Sequence, residues 1–79
     1  MDEFWRSYNS LQWIFMELKK QGIVDHLEDT RNTVNGLGDG WQRFKISFYN
    51  IEKMWPSQLK GEAEQVFKKL KDMVDSWAL

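Results

Sequence analysis

The residues best suited to acid-base or metal chemistry in this 79-residue chain gather around His26, its only histidine. Asp25, Glu28 and Asp29 lie beside it, and an imidazole among carboxylates is the beginning of a metal or proton-transfer site. It is only a beginning. Helical di-metal centres take a Glu and a His three residues apart from each of two helices, and no second imidazole exists here. The chain also lacks cysteine, which closes off thiolate ligation. The expectation is a solvated histidine in the first turn of a helix, with no metal and no other cofactor.

Glu62 with Glu64 and Asp72 with Asp75 place carboxylates close together, but acid-base work requires one of them to be desolvated so that its pKa moves. On a helical wheel Lys60, Glu64, Lys68 and Lys71 fall opposite Leu59 and Leu70, and Glu64 stands four residues ahead of Lys68, the favoured order for an ion pair along a helix. These read as solvated charges. The run Asn35-Gly36-Leu37-Gly38-Asp39-Gly40 resembles a phosphate-binding loop only in glycine content, since it lacks the Lys-Ser/Thr pair and the preceding strand. Read as a calcium loop from Asn35, it has Leu37 and Ile46 at the third and twelfth positions, where acidic ligands belong. It reads as a connection. With no nucleophile-base pair in view, the sequence predicts a non-catalytic protein.

Eleven Lys and Arg against twelve Asp and Glu leave a formal net charge of −1, so no strong overall field draws the chain to nucleic acid or anionic lipid. Gln42, Arg43, Lys45, Asn50 and Lys53 offer the one segment with groups for phosphates and base edges. They are spread around their helix, and the six-residue glycine connection before it exceeds the usual turn of a helix-turn-helix, so nucleic acid is the disfavoured alternative. Trp13-Ile14-Phe15-Met16 is the longest apolar run, too short to span a bilayer. The acidic start Met1-Asp2-Glu3 lacks the pattern of a secretory signal, and a cytoplasmic setting is the default expectation.

These groups must be positioned by helices. Phe4, Tyr8, Leu11, Phe15 and Leu18 step by fours and threes, the period of one helical face. Gly22 suits a left-handed cap, with Ile23 then meeting Leu18. Asp25 and Glu28 have capping-box spacing and open a short, polar second helix that runs toward Asn35-Gly36. Asp39 and Gln42 repeat that spacing ahead of Trp41, Phe44, Phe48, Ile51 and Trp55, and Pro56 turns the chain. Leu59, Ala63, Val66, Leu70, Met73 and Trp77 mark the last helix, which tolerates Gly61 near its start at about 1 kcal/mol relative to alanine. The predicted fold is all-α: one domain over residues 1–79, a compact antiparallel bundle of four helices, two of them long, with three helices as the alternative.

One feature is in excess of what a core needs. With Phe4 at the origin of the wheel, Trp5, Met16 and Trp13 fall at roughly 100°, 120° and 180°, away from the first stripe. Ile46 and Tyr49 stand similarly off the stripe of the third helix. Trp, Tyr and Met are enriched at protein interfaces, and two uncovered tryptophans would make a large apolar patch. The sequence therefore points to a small adaptor, inhibitor or accessory subunit that binds another protein, a copy of itself as a homodimer, or both. Trp5, Trp13, Met16, Ile46 and Tyr49 are its contact residues. A competing expectation makes helix one central and contacted on two sides, which would bury Trp5 and Met16 in the bundle. A hydrophobic-ligand carrier is a further alternative, but a useful cavity would hollow out most of so small a core.

Overall fold

The computed structural model describes residues 2–34 and 39–77. Four α-helices follow one another, α1 (Asp2–Glu17), α2 (Gln21–Arg31), α3 (Gly40–Met54) and α4 (Gly61–Asp75), with a short 3-10 turn at Pro56–Gln58. Three of them run 15 or 16 residues and α2 runs 11. The glycine connection at 35–38, and with it part of the calcium-loop reading, lies outside the described residues.

Each helix exists because an apolar stripe at helical spacing needs covering. The stripes are Phe4, Tyr8, Leu11 and Phe15 on α1, Ile23, Val24 and Leu27 on α2, Phe44, Phe48 and Ile51 on α3, and Ala63, Phe67, Leu70 and Val74 on α4, all buried. Their contacts run in opposite senses along neighbouring helices. Tyr8 reaches Leu27 while Gln12 reaches Val24, so α2 runs back along α1. His26 meets Trp55 while Thr30 meets Ser47, so α3 runs back along α2. Trp41 meets Trp77 at 4.9 Å while Phe48 stacks on Phe67 at 4.7 Å, so α4 runs back along α3. The ring closes where Trp77 packs 4.9 Å from Phe4 and Lys69 reaches Glu3 at 3.3 Å. The result is an up-and-down bundle, 34 × 23 × 21 Å, in which α1 packs mainly on α4 and α2, and α2 packs on α3.

Several helix ends differ from the sequence reading. α1 stops at Glu17, not near Gln21, because Lys19 takes the left-handed conformation at φ 58°. The Lys20 amide then donates to the Phe15 carbonyl at 2.9 Å and the Lys19 amide to Met16 at 3.0 Å, which together satisfy the orphan carbonyls of the last turn. Leu18 leaves the stripe and is 55% exposed. Gly22 is thereby freed from capping and falls in the first turn of α2. Asp25 does not cap that helix, which begins four residues earlier; it accepts a hydrogen bond from Gln21 Nε2 at 2.8 Å instead. Asp39 does stand at the N-cap position of α3, but its carboxylate pairs with Arg43 at 3.0 Å rather than with a backbone amide. Gly61 is required and not merely tolerated, since it opens α4 at φ +61°, where an L side chain is strained.

Candidate functional site

The five residues singled out from the sequence separate in space. Trp5 is half-buried and packs edge-on to Phe4, Tyr8 and Phe44, with Trp41 6.0 Å away across the bundle. It belongs to the aromatic cluster at one end of the molecule, as the central-helix alternative expects of Trp5 but not of Met16, which is 51% exposed. Tyr49 is half-buried as well. Its hydroxyl donates to the Asp75 carboxylate, and the ammonium groups of Lys45 and Lys71 lie over its ring at 5.7 and 5.4 Å, so its polar and apolar surfaces are engaged by α3 and α4. Trp13, Met16 and Ile46 are different. They stand 59%, 51% and 66% exposed.

Trp13 forms one lip of a groove between the carboxyl-terminal half of α1 and the start of α4. Trp13, Ile14, Glu17, Leu18, Glu62 and Ala63 line it, around a volume of about 430 Å³ open along one side. Helical periodicity explains the lining on the α1 side. Ile14 and Leu18 lie four apart and face α4, while Trp13 and Glu17 lie four apart one position earlier and stand at the rim. On the α4 side Ala63 supplies a small, buried floor, and its lack of bulk leaves the depression open. Glu62, the residue before it, supplies a second carboxylate. Among the described residues neither Glu17 nor Glu62 forms an ion pair, whereas Glu64, the neighbour with which Glu62 was matched on sequence, lies 4.0 Å from Lys68.

Sequence reasoning missed Glu17, Leu18 and Glu62 for different reasons. The first two sit four and five residues beyond Trp13 and were visible as its helical neighbours, once the helix was known to end at Glu17. Glu62 was not visible, because its place in the groove depends on the register between the first and last helices.

The other polar groups are occupied in holding the bundle together. The Arg31 guanidinium lies against the rings of Trp5 and Tyr8, at 5.5 and 5.2 Å, and donates to the side-chain carbonyls of Asn9 and Gln12. Its Nε is buried without a partner. His26 is not simply solvated as expected: it is half-buried against Trp55, and its Nε2–H donates to the Ser47 carbonyl at 2.8 Å. Thr30, the one buried polar residue among those described, shares a 2.5 Å hydrogen bond with the Ser47 hydroxyl. These contacts lace α2 to α1 and α3. Among the described residues no three acidic or histidine side chains are grouped to hold a metal, and no described helix is long and apolar enough to cross a membrane.

No protein-family model, curated protein or solved structure matches this chain.

The depression is open along one side and can accept an apolar side chain against Trp13, Ile14 and Ala63 while Glu17 and Glu62 face the cation that accompanies it. On α3, Arg43 pairs with Asp39 at 3.0 Å and Lys45 lies over Tyr49.

Proposed function

We propose that this chain is a non-catalytic protein-binding module, a small adaptor, inhibitor or accessory subunit, whose docking surface is the α1–α4 groove with Trp13 at its lip. The observation that carries this reading is the exposure of Trp13, Met16 and Leu18, three large apolar side chains within six residues of one helix end. A tryptophan in such a position is a typical energetic anchor, because it adds a large apolar area to an association at small conformational cost. Trp13 and Met16 are the leading contacts of this surface, and Ile46 marks a second exposed patch. Trp5 and Tyr49 are half-buried and pack against neighbouring helices. A cytoplasmic setting is part of the proposal.

The test is Trp13→Gln, with the tagged chain used to capture proteins from its native host. The melting curve of the variant at high dilution should match that of the parent, while its affinity for the captured partner or for itself falls by at least about 1 kcal/mol. A variant that melts early at every concentration and still binds normally would mean that Trp13 is structural, and the reading would be abandoned.

A further inference from the structure

We propose that a second copy of this chain fills the α1–α4 groove with the outer face of its α3, so that copies associate head to tail. This deepens the protein-binding reading and rests on it.

The two faces are complementary. The groove is apolar along Trp13, Ile14 and Ala63 and carries Glu17 and Glu62, which form no ion pair among the described residues. α3 presents the opposite combination. Ile46 is 66% exposed, and Lys53, seven residues later, lies two turns along the same outer stripe. Met54 is exposed beside Lys53, which pairs with no carboxylate among the described residues. An exposed isoleucine accompanied by a free ammonium is the chemistry that an apolar trough flanked by two free carboxylates accepts. Charge complementarity of this kind fixes both partner and orientation.

The geometry makes the contact intermolecular. The inner face of α3, with Phe44, Phe48 and Ile51, is buried in the core, so its exposed outer face with Ile46 and Lys53 cannot turn into the groove of the same chain. A two-fold pairing of groove with groove would bring Glu17 and Glu62 against their own copies, a like-charge contact that disfavours it. Two different patches on different sides of one molecule make a heterologous interface, which either closes into a ring or continues as an open chain of copies.

The experiment is sedimentation of the full chain from micromolar to millimolar concentration, with two charge-altered variants. E17K/E62K changes only the groove, and I46E/K53E changes only the face of α3. All four positions are exposed, and matching helical spectra and melting curves establish that both variants fold. The parent chain should show mass rising with concentration. Each variant alone should associate about ten-fold more weakly or less, and an equimolar mixture of the two should recover association, because the unchanged α3 of the first meets the unchanged groove of the second. Added salt should weaken association of the parent chain, which tests the charge pairing without any variant. A parent that stays monomeric throughout, or whose association strengthens with salt, overturns the proposal. An I46E/K53E variant that self-associates like the parent also overturns it, in favour of groove-to-groove pairing. None of these failures touches the docking of a foreign protein at Trp13, which is judged by the capture experiment.

Discussion

The hydroxyl of Tyr8, completely buried, donates to the backbone carbonyl of Leu27 at 2.6 Å. Leu27 sits in mid-helix on α2, so its carbonyl accepts this bond in addition to the helical ladder, and α1 and α2 are pinned at one register. Burial pushes the Tyr8 pKa far above its ordinary value, against the opposing pull of the nearby Arg31 charge.

That shift sets an alkaline limit. The unfolded tyrosine releases its proton near pH 10 whereas the folded one keeps it, so the unfolded state binds fewer protons above that pH. Stability from this source is complete below about pH 10 and falls as pH rises further, by about 1.4 kcal/mol per unit. Tyr8→Phe should remove that slope. It should also cost about 1 kcal/mol at neutral pH through the lost hydrogen bond. Urea melts at neutral pH and between pH 9 and pH 11 check both; an unchanged alkaline slope in the variant would assign the effect to another group.

Two backbone positions should respond to substitution in opposite directions. Lys19 occupies the left-handed conformation that glycine adopts without steric penalty, so Lys19→Gly should stabilise the protein by about 0.5–1 kcal/mol. Gly61 has the same conformation with nothing within 4 Å of an added Cβ, so Gly61→Ala should destabilise it by about 1 kcal/mol through backbone strain alone. Thermal melts of the two variants decide the matter. A neutral Gly61→Ala would show that the turn before α4 relaxes at no cost.

The two tryptophans of α1 should separate cleanly. Trp5→Ala opens the aromatic end of the bundle and removes a face of the Arg31 site, and a cost of about 2–4 kcal/mol follows for a half-buried indole of this kind. Trp13→Ala removes a mostly exposed side chain and should cost under about 1 kcal/mol. Denaturant midpoints at constant slope read both numbers, and equal losses would place Trp13 in the structural core.

Arg31 supplies a fourth test. A lysine can neither stack flat between Trp5 and Tyr8 nor reach Asn9 and Gln12 together, so Arg31→Lys should lose about 1–2 kcal/mol although the charge is kept. A melt unchanged by this substitution would mean that the guanidinium contributes nothing beyond its charge.

The apolar stripes were legible in the sequence because burial and helical period are both local patterns. Phe44, Phe48 and Ile51, or Ala63, Phe67, Leu70 and Val74, declare their shared face without reference to any other segment. Helix ends were less legible. Nothing about Lys19 marks it for a left-handed turn, and the glycine three residues later offered a misleading stop. Trp5 and Trp13 look alike on the wheel, yet α2 and α3 cover the first, while among the described residues the second stays 59% exposed. Glu62 could not be placed at all before the register between α1 and α4 was known.

That last pairing has a consequence for the order in which the chain acquires its structure. α1 touches α4 more extensively than it touches α2, although α4 is the more distant in sequence. The hairpin α1–α2 closes a short loop and can form early, but the apolar face of α1 is fully covered only when α4 docks. During synthesis Phe4 and Phe15 must therefore wait, partly bare, for the residues near Trp77 and Ala63 to leave the ribosome. Docking of α4 is the step on which escape from aggregation depends.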